Sequence, residues 1–377
     1  MTTTDAPIAP RPYVTGKTQT VVKPVVGIDV SKAVNLATNE SVHGPATGVA
    51  EAVAAAGANV HRYADVGCRD MRAAISGHFG IEADRIICGN GSEEILDMAG
   101  RVYARPGDEI LYPAHSFLQF SIVAYRIGAT AVEAPLGPDF TVDVEALLAA
   151  VTPRTRIVFL ANPNNPTGVP VPAADVRKLA ARLRPDILLV LDCAYAEFAD
   201  QEAADDAIHL ARTLPNVLVT RTFSKAYGMA GLRCGWGYGP RDLIAALDNM
   251  RGIGNLNGPA QAAAAVAIQA QDHVQRVVEH AIEQREYLEQ RLAEAHFDVL
   301  QSATNFVFAR IPRDSAISAA DCVTVLAKNG YLIRANEDYG LPDHLRISVG
   351  HHSDMVRVAD ILASATSGNG RGEEALT

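Results

Sequence analysis

The stretch Thr222-Phe223-Ser224-Lys225-Ala226-Tyr227-Gly228-Met229-Ala230-Gly231-Leu232-Arg233-Cys234-Gly235 follows an apolar run, residues 217–220, that reads as a short buried strand. A lysine flanked by hydroxyl residues therefore stands just past a strand, with an arginine eight positions on. A lysine amine attacks a carbonyl only when deprotonated, and desolvation and nearby positive charge both lower its pKa. Arg233 would supply that charge and a clamp for a phosphate, and Thr222 and Ser224 would donate hydroxyl hydrogen bonds to the same anion. Taken alone, the lysine reads more simply as a surface residue after a strand, because lysines are mostly exposed.

Working outward from this stretch, residues 85–88, 109–112, 131–134, 156–160 and 188–191 are further short apolar runs. Residues 94–104, 144–150 and 173–183 carry amphipathic helical patterns between them. Strands alternating with helices predict a mainly parallel sheet covered on both faces, an α/β architecture. The pattern changes after Pro259. Residues 260–296 are rich in Ala, Gln, Glu and Arg with no Gly or Pro, which predicts two helices or one long bent connector. Residues 305–309, 332–334 and 345–349 then read as strands of a second, smaller sheet. The expected division is 1–45 as an N-terminal arm and part of a small domain, 46–264 as a large domain, and 265–377 as the rest of the small one.

Composition narrows the classes. The chain has 377 residues, 48% hydrophobic and 20% charged, an ordinary globular mixture for one large and one smaller domain. Its net charge of -10 argues against general affinity for nucleic acid. The five cysteines show no C-x-x-C spacing, so reduced thiols in the cytoplasm are expected. Neither a signal-peptide core nor an apolar span of about 18 residues is present, so no membrane association is expected.

Three more motifs carry chemistry. Gly89-Asn90-Gly91-Ser92-Glu93-Glu94 is a Gly-rich turn opening a helix, where backbone N–H groups and the helix dipole make an anion site; Ser92 is also a good N-cap. By itself this reads as an ordinary capped helix. Asn162-Pro163-Asn164-Asn165-Pro166-Thr167-Gly168 is a rigid turn at the carboxyl end of a strand, where ligands of open α/β sheets sit. Leu191-Asp192-Cys193-Ala194-Tyr195 ends another strand. An aspartate there pairs with a protonated pyridine nitrogen or caps a helix. His351-His352 does not read as a metal pair, because neighbours on a strand point to opposite faces.

The order of these motifs, ending in Leu345-Arg346-Ile347-Ser348-Val349-Gly350, resembles the fold-type I pyridoxal-5′-phosphate (PLP) aminotransferases, and within them the histidinol-phosphate aminotransferase family. The resemblance runs from about Arg11 to Ile361. It implies a seven-stranded, mostly parallel large-domain sheet and PLP as cofactor. It implies that Lys225 is the Schiff-base lysine and proton shuttle, that Asp192 holds the pyridine nitrogen, and that Asn165 and Tyr195 contact the ring O3′. Phe117 would stack on the ring. The Gly91-Ser92-Glu93 backbone, Thr222, Ser224 and Arg233 would bind the cofactor phosphate. Tyr63 would reach the neighbouring subunit's phosphate, which implies a homodimer with shared active sites. Arg346 would clamp a substrate carboxylate, Arg334 would contact a substrate phosphate, and Tyr13 and Asn39 would line the pocket.

The sequence departs from the family at Ser41-Val42, where Asn-Pro is usual, at Ala64 and at Cys193. The first departure lies beside the substrate. The implied reaction is ping-pong transamination from L-histidinol phosphate to 2-oxoglutarate. An aromatic amino acid as donor is the alternative, and a PLP decarboxylase or lyase is the alternative of another class.

Overall fold

The computed structural model describes residues 32–367. A two-residue strand, β1 (Val34–Asn35), opens the described chain, and the large sheet follows. Its strands are β2 (Ile86–Gly89), β3 (Glu109–Pro113), β4 (Thr130–Ala134), β5 (Thr155–Ala161), β6 (Leu188–Asp192), β7 (Val217–Thr222) and β8 (Gly235–Tyr238). They lie in the order β2-β8-β7-β6-β5-β3-β4. All pairings are parallel except those of β8, which runs antiparallel to both β2 and β7.

Six of these strands match the apolar runs read from sequence. The apolar pattern does not show β8, because Gly235 and Gly237 break it. Those glycines let β8 lie against its neighbours: a Cβ on Gly237 would come within 3.1 Å of the Val219 carbonyl oxygen.

Alternate residues of the central strands feed two cores. Val158, Leu160, Leu189 and Leu191 pack into the cluster on one face; Ile157, Phe159, Leu188 and Val190 pack into the cluster on the other. Helices cover both faces, which is why these strands read as continuous apolar runs.

The connector resolves into two helices, Gly258–Ala267 and Gln271–Glu294. The second sheet follows: β9 (Asp298–Leu300), β10 (Phe306–Arg310), β11 (Tyr331–Leu332), β12 (Arg334–Asn336) and β13 (Leu341–Ser348). Four of them form an antiparallel sheet in the order β12-β13-β10-β9. The single strand expected at 332–334 is divided. β11 pairs in parallel with β1, while β12 pairs with β13, so Ile333 is where the chain changes sheets. Leu288, Leu292, Val307, Leu345, Ile347, Met355 and Leu362 form the apolar cluster behind this sheet.

His351 is not on a strand. It occupies the N-cap of the helix His352–Thr366. No helix among the described residues is long and apolar enough to cross a membrane.

Candidate active site

The carboxyl ends of β5, β6 and β7 converge on one cleft. Lys225 follows the end of β7 and is partly buried in the cleft wall. Burial, then the Arg346 guanidinium, lower its ammonium pKa to about 8. Its Nζ donates to the Thr38 carbonyl oxygen at 3.2 Å. Asp192, the last residue of β6, faces the same cleft. Desolvation pushes its carboxyl up to about 6, opposed by the Thr220 hydroxyl, which donates to Oδ1 at 2.9 Å.

Tyr195 lies three residues on. Its hydroxyl oxygen accepts from Asn39 Nδ2 at 2.8 Å, and burial raises its pKa to about 12, so it is a neutral hydrogen-bond donor at any ordinary pH. Asn39 is held in turn by Ser348, whose hydroxyl donates to Asn39 Oδ1 at 2.9 Å and accepts from the Asn39 N–H at 2.8 Å.

The anion end of the cleft is built on β7, β8 and the turn before the helix Ser92–Tyr103. Gly91, not Ser92, is the N-cap; Ser92 is the first helical residue, and no side chain caps the helix. Its first N–H groups are therefore free of a side-chain acceptor at the cap. Gly91 has φ of 80°, and a Cβ there would lie 2.6 Å from Arg233 Nη2, so the turn admits only glycine. Arg233 Nη1 donates to Ser224 Oγ at 3.3 Å, and the Thr222 hydroxyl donates to the same oxygen at 3.0 Å. With both donors received, Ser224 keeps its own proton for a ligand. Bare helix N–H groups, two hydroxyls and a guanidinium around a Cβ-free turn fit a phosphate group.

The opposite wall holds two arginines from adjacent strands. Arg346 of β13 and Arg334 of β12 are direct cross-strand partners, so both project from one face of the sheet. Arg346 is only 3% exposed. Its Nη1 donates to Asn165 Oδ1 at 2.6 Å, its Nη2 donates to the Ala37 carbonyl, and its Nε has no partner among the described residues. A buried guanidinium held, among the described residues, by neutral acceptors alone is a strong recognition element for a carboxylate. With Oδ1 committed to Arg346, Asn165 offers its amide N–H groups to the cleft.

The structure thus brings Lys225, Asp192, Tyr195, Ser92, Glu93, Phe117, Asn165, Thr222, Ser224, Arg233, Arg346, Arg334 and Asn39 to one cleft, with Gly91 forming the turn behind it. Tyr63 is not brought there and is fully exposed. Tyr13 lies outside the described residues. Thr38 and Tyr339 line the cleft without having been picked out. Thr38 acts through its backbone carbonyl, which no side chain signals. Tyr339 sits in a three-residue turn between β12 and β13, and the only sequence cue was its closeness to Arg334. His115 meets the same turn, its Nδ1 lying 2.7 Å from the Tyr339 carbonyl oxygen. Cys193 is buried behind the site and burial pushes its thiol up to about 12, leaving it unreactive.

Comparison with known proteins agrees with this geometry. The sequence profile of the family "Aminotransferase class I and II" matches residues 31–362. The chain belongs to the class I and II aminotransferases. A histidinol-phosphate aminotransferase of Paramagnetospirillum magneticum is 43% identical to this aminotransferase over 340 residues, covering 90% of this chain and 92% of that one. The histidinol-phosphate aminotransferase of Sphingopyxis alaskensis is 40% identical over 374 residues, covering 98% and 100%. Among solved structures, histidinol-phosphate aminotransferase from Sinorhizobium meliloti in complex with pyridoxal-5′-phosphate superposes with a TM-score of 0.81 at 30% identity, over 89% of this chain and 92% of that one. The aminotransferase therefore has the fold-type I architecture of PLP-dependent transferases.

Proposed function

We propose that this aminotransferase uses pyridoxal 5′-phosphate to move the amino group of L-histidinol phosphate to 2-oxoglutarate. The observation that carries the reading is the partly buried, partly neutralised Lys225 amine sharing one cleft with Asp192 and with two arginines on adjacent strands. The names of the relatives support the donor. When bound, PLP supplies an aldehyde for amine exchange and a conjugated pyridinium that accepts electrons from a breaking bond at the substrate Cα.

The protein's own groups then have defined tasks. Lys225 holds the cofactor when no substrate is present; displaced, its neutral Nζ takes the proton from the substrate Cα. The Asp192 carboxylate holds a proton on the ring nitrogen, and the positive ring draws the carboxyl back toward its ionised form. The Tyr195 hydroxyl and the Asn165 amide donate to the ring oxygen. The Ser92 and Glu93 N–H groups, Thr222, Ser224 and Arg233 hold the phosphate. Arg346 takes the α-carboxylate in the 2-oxoglutarate half-reaction, and Arg334 takes the outer anion: the donor's phosphate in one half-reaction and the second carboxylate in the other. Exposed Tyr63, together with exposed Val60 and Ile253, supports a homodimer in which Tyr63 reaches the partner's phosphate site.

The test is the absorption spectrum of the PLP-loaded protein. Histidinol phosphate should abolish the cofactor's visible band and 2-oxoglutarate should restore it. A band that responds to phenylalanine but not to histidinol phosphate would discard the donor. Carbon dioxide release from an amino acid without need of an oxo acid would discard transamination.

A further inference from the structure

The two arginines of the cleft are not equivalent. Among the described residues Arg346 makes no ion pair with a carboxylate. Arg334 has one already: its Nη2 lies 2.6 Å from Asp338 Oδ2, its side chain 11% exposed and that of Asp338 49% exposed. Its guanidinium also lies over the Tyr339 ring, 5.3 Å from the centroid. The turn that presents Asp338, residues 337–339, is fixed on both sides. Asn336 Nδ2 donates to the His344 carbonyl at 3.0 Å, and His115 Nδ1 lies 2.7 Å from the Tyr339 carbonyl oxygen. The Asp338 carboxylate is thus delivered to Arg334 by an anchored backbone, while its half-exposed side chain is free to rotate into solvent.

We infer that Asp338 is an internal counter-ion that an incoming substrate anion must displace from Arg334, and that it sets how strongly the enzyme holds that anion. This rests on the assignment of Arg334 to the outer anion. A ping-pong enzyme gains from such a device. Its cleft must admit two anionic substrates in turn and release two anionic products, and an outer guanidinium with no partner would hold a dianionic tail too tightly. Asp338 resupplies a carboxylate whenever the tail departs. The competition is graded by charge: a dianionic phosphate near Asp338 meets more repulsion than a single carboxylate, and a neutral tail meets none. Asp338 is a specificity-determining residue in this sense and touches neither the cofactor nor the reacting atoms.

The experiment compares wild type and Asp338→Asn as PLP-loaded enzymes, with Asp338→Glu as the charge-preserving control. The KM for histidinol phosphate is measured, together with inhibition by inorganic phosphate against a donor with a neutral side chain such as phenylalanine. Asp338→Asn should tighten phosphate inhibition about fivefold, the upper range for a partly exposed ion pair. The KM for histidinol phosphate should fall by a similar factor, with kcat and the KM for phenylalanine unchanged, and Asp338→Glu should resemble wild type. Unchanged or weaker phosphate inhibition in Asp338→Asn would overturn the inference, since it would make Asp338 a support that orients Arg334. If histidinol phosphate proves not to be a donor, the donor assignment fails, and the inorganic phosphate measurement still decides the role of Asp338.

Discussion

Asp192 and Thr220 are register partners on β6 and β7, and the threonine hydroxyl donates to the carboxylate at 2.9 Å. Among the described residues that is the one hydrogen bond to the side chain of a buried acid whose pKa is raised from 3.8 to about 6. The sign follows from linkage. A carboxyl with a raised folded pKa favours the folded state below about pH 4, and that contribution is lost as pH rises through 6. A shift of this size corresponds to about 3 kcal/mol. Without PLP, Asp192→Asn should therefore melt above wild type at pH 7.5 and show a clearly smaller gain at pH 4.5. Its turnover should fall about a hundredfold, since a hydrogen bond to a charged group contributes up to about 3 kcal/mol. Thermal melts at the two pH values, with and without PLP, check both parts.

Lys225 gives the complementary pH dependence. Its folded pKa is depressed from 10.5 to about 8, so its contribution to stability is present at high pH and lost as pH falls through 8. The reactive amine appears over the same range. The rate of covalent PLP capture by cofactor-free protein should rise between pH 7 and 9, be half-maximal near 8, and level off above. Lys225→Ala should lose at least about a thousandfold in turnover, with both the nucleophile and the proton carrier gone. Stopped-flow absorbance across the pH range reads the first and steady-state kinetics the second.

Arg346 offers a planar fork to one substrate only. Arg346→Lys keeps the charge and loses the paired geometry. The KM for 2-oxoglutarate should rise about ten- to a hundredfold. The KM for histidinol phosphate, which has no carboxylate, should change far less. Initial rates with each substrate varied separately distinguish this from general damage, which would move both.

Tyr195→Phe leaves the Asn39 amide without its acceptor in a buried site. The cost should be about 1–3 kcal/mol of stability, and turnover should fall about tenfold as one donor to the ring oxygen is lost. Asn39→Ala should lower stability as well, because it also removes the bond to Ser348. Melting temperature and kcat measured together test this pair.

The parallel core of the fold was legible because strands buried on both faces are written as apolar runs, as at residues 188–191 and 217–220. The site was legible wherever chemistry belongs to a side chain at a strand end: Asp192, Lys225 and the turn holding Asn165. β8 was hidden by Gly235 and Gly237, whose task is close approach and not burial of apolar surface. Division of the expected strand at Ile333 was also hidden, since that depends on β1 arriving from 297 residues upstream. The pairing of Arg334 with Asp338 follows from a local turn whose geometry no apolar pattern records.

Residues 37–39 reach the site through main chain as much as side chain. The Ala37 carbonyl receives Arg346, the Thr38 carbonyl receives Lys225, and the Asn39 carbonyl receives Asn305 Nδ2 at 3.1 Å. Carbonyl acceptors are indifferent to residue type but not to position. This segment should therefore tolerate substitution at Thr38, and the exchange of the family's Asn-Pro for Ser41-Val42 just downstream fits such latitude. It should not tolerate an insertion or deletion, because a slip of one residue moves every acceptor by about 3.5 Å. Along this edge of the active site, natural variation should be rich in spelling and poor in length.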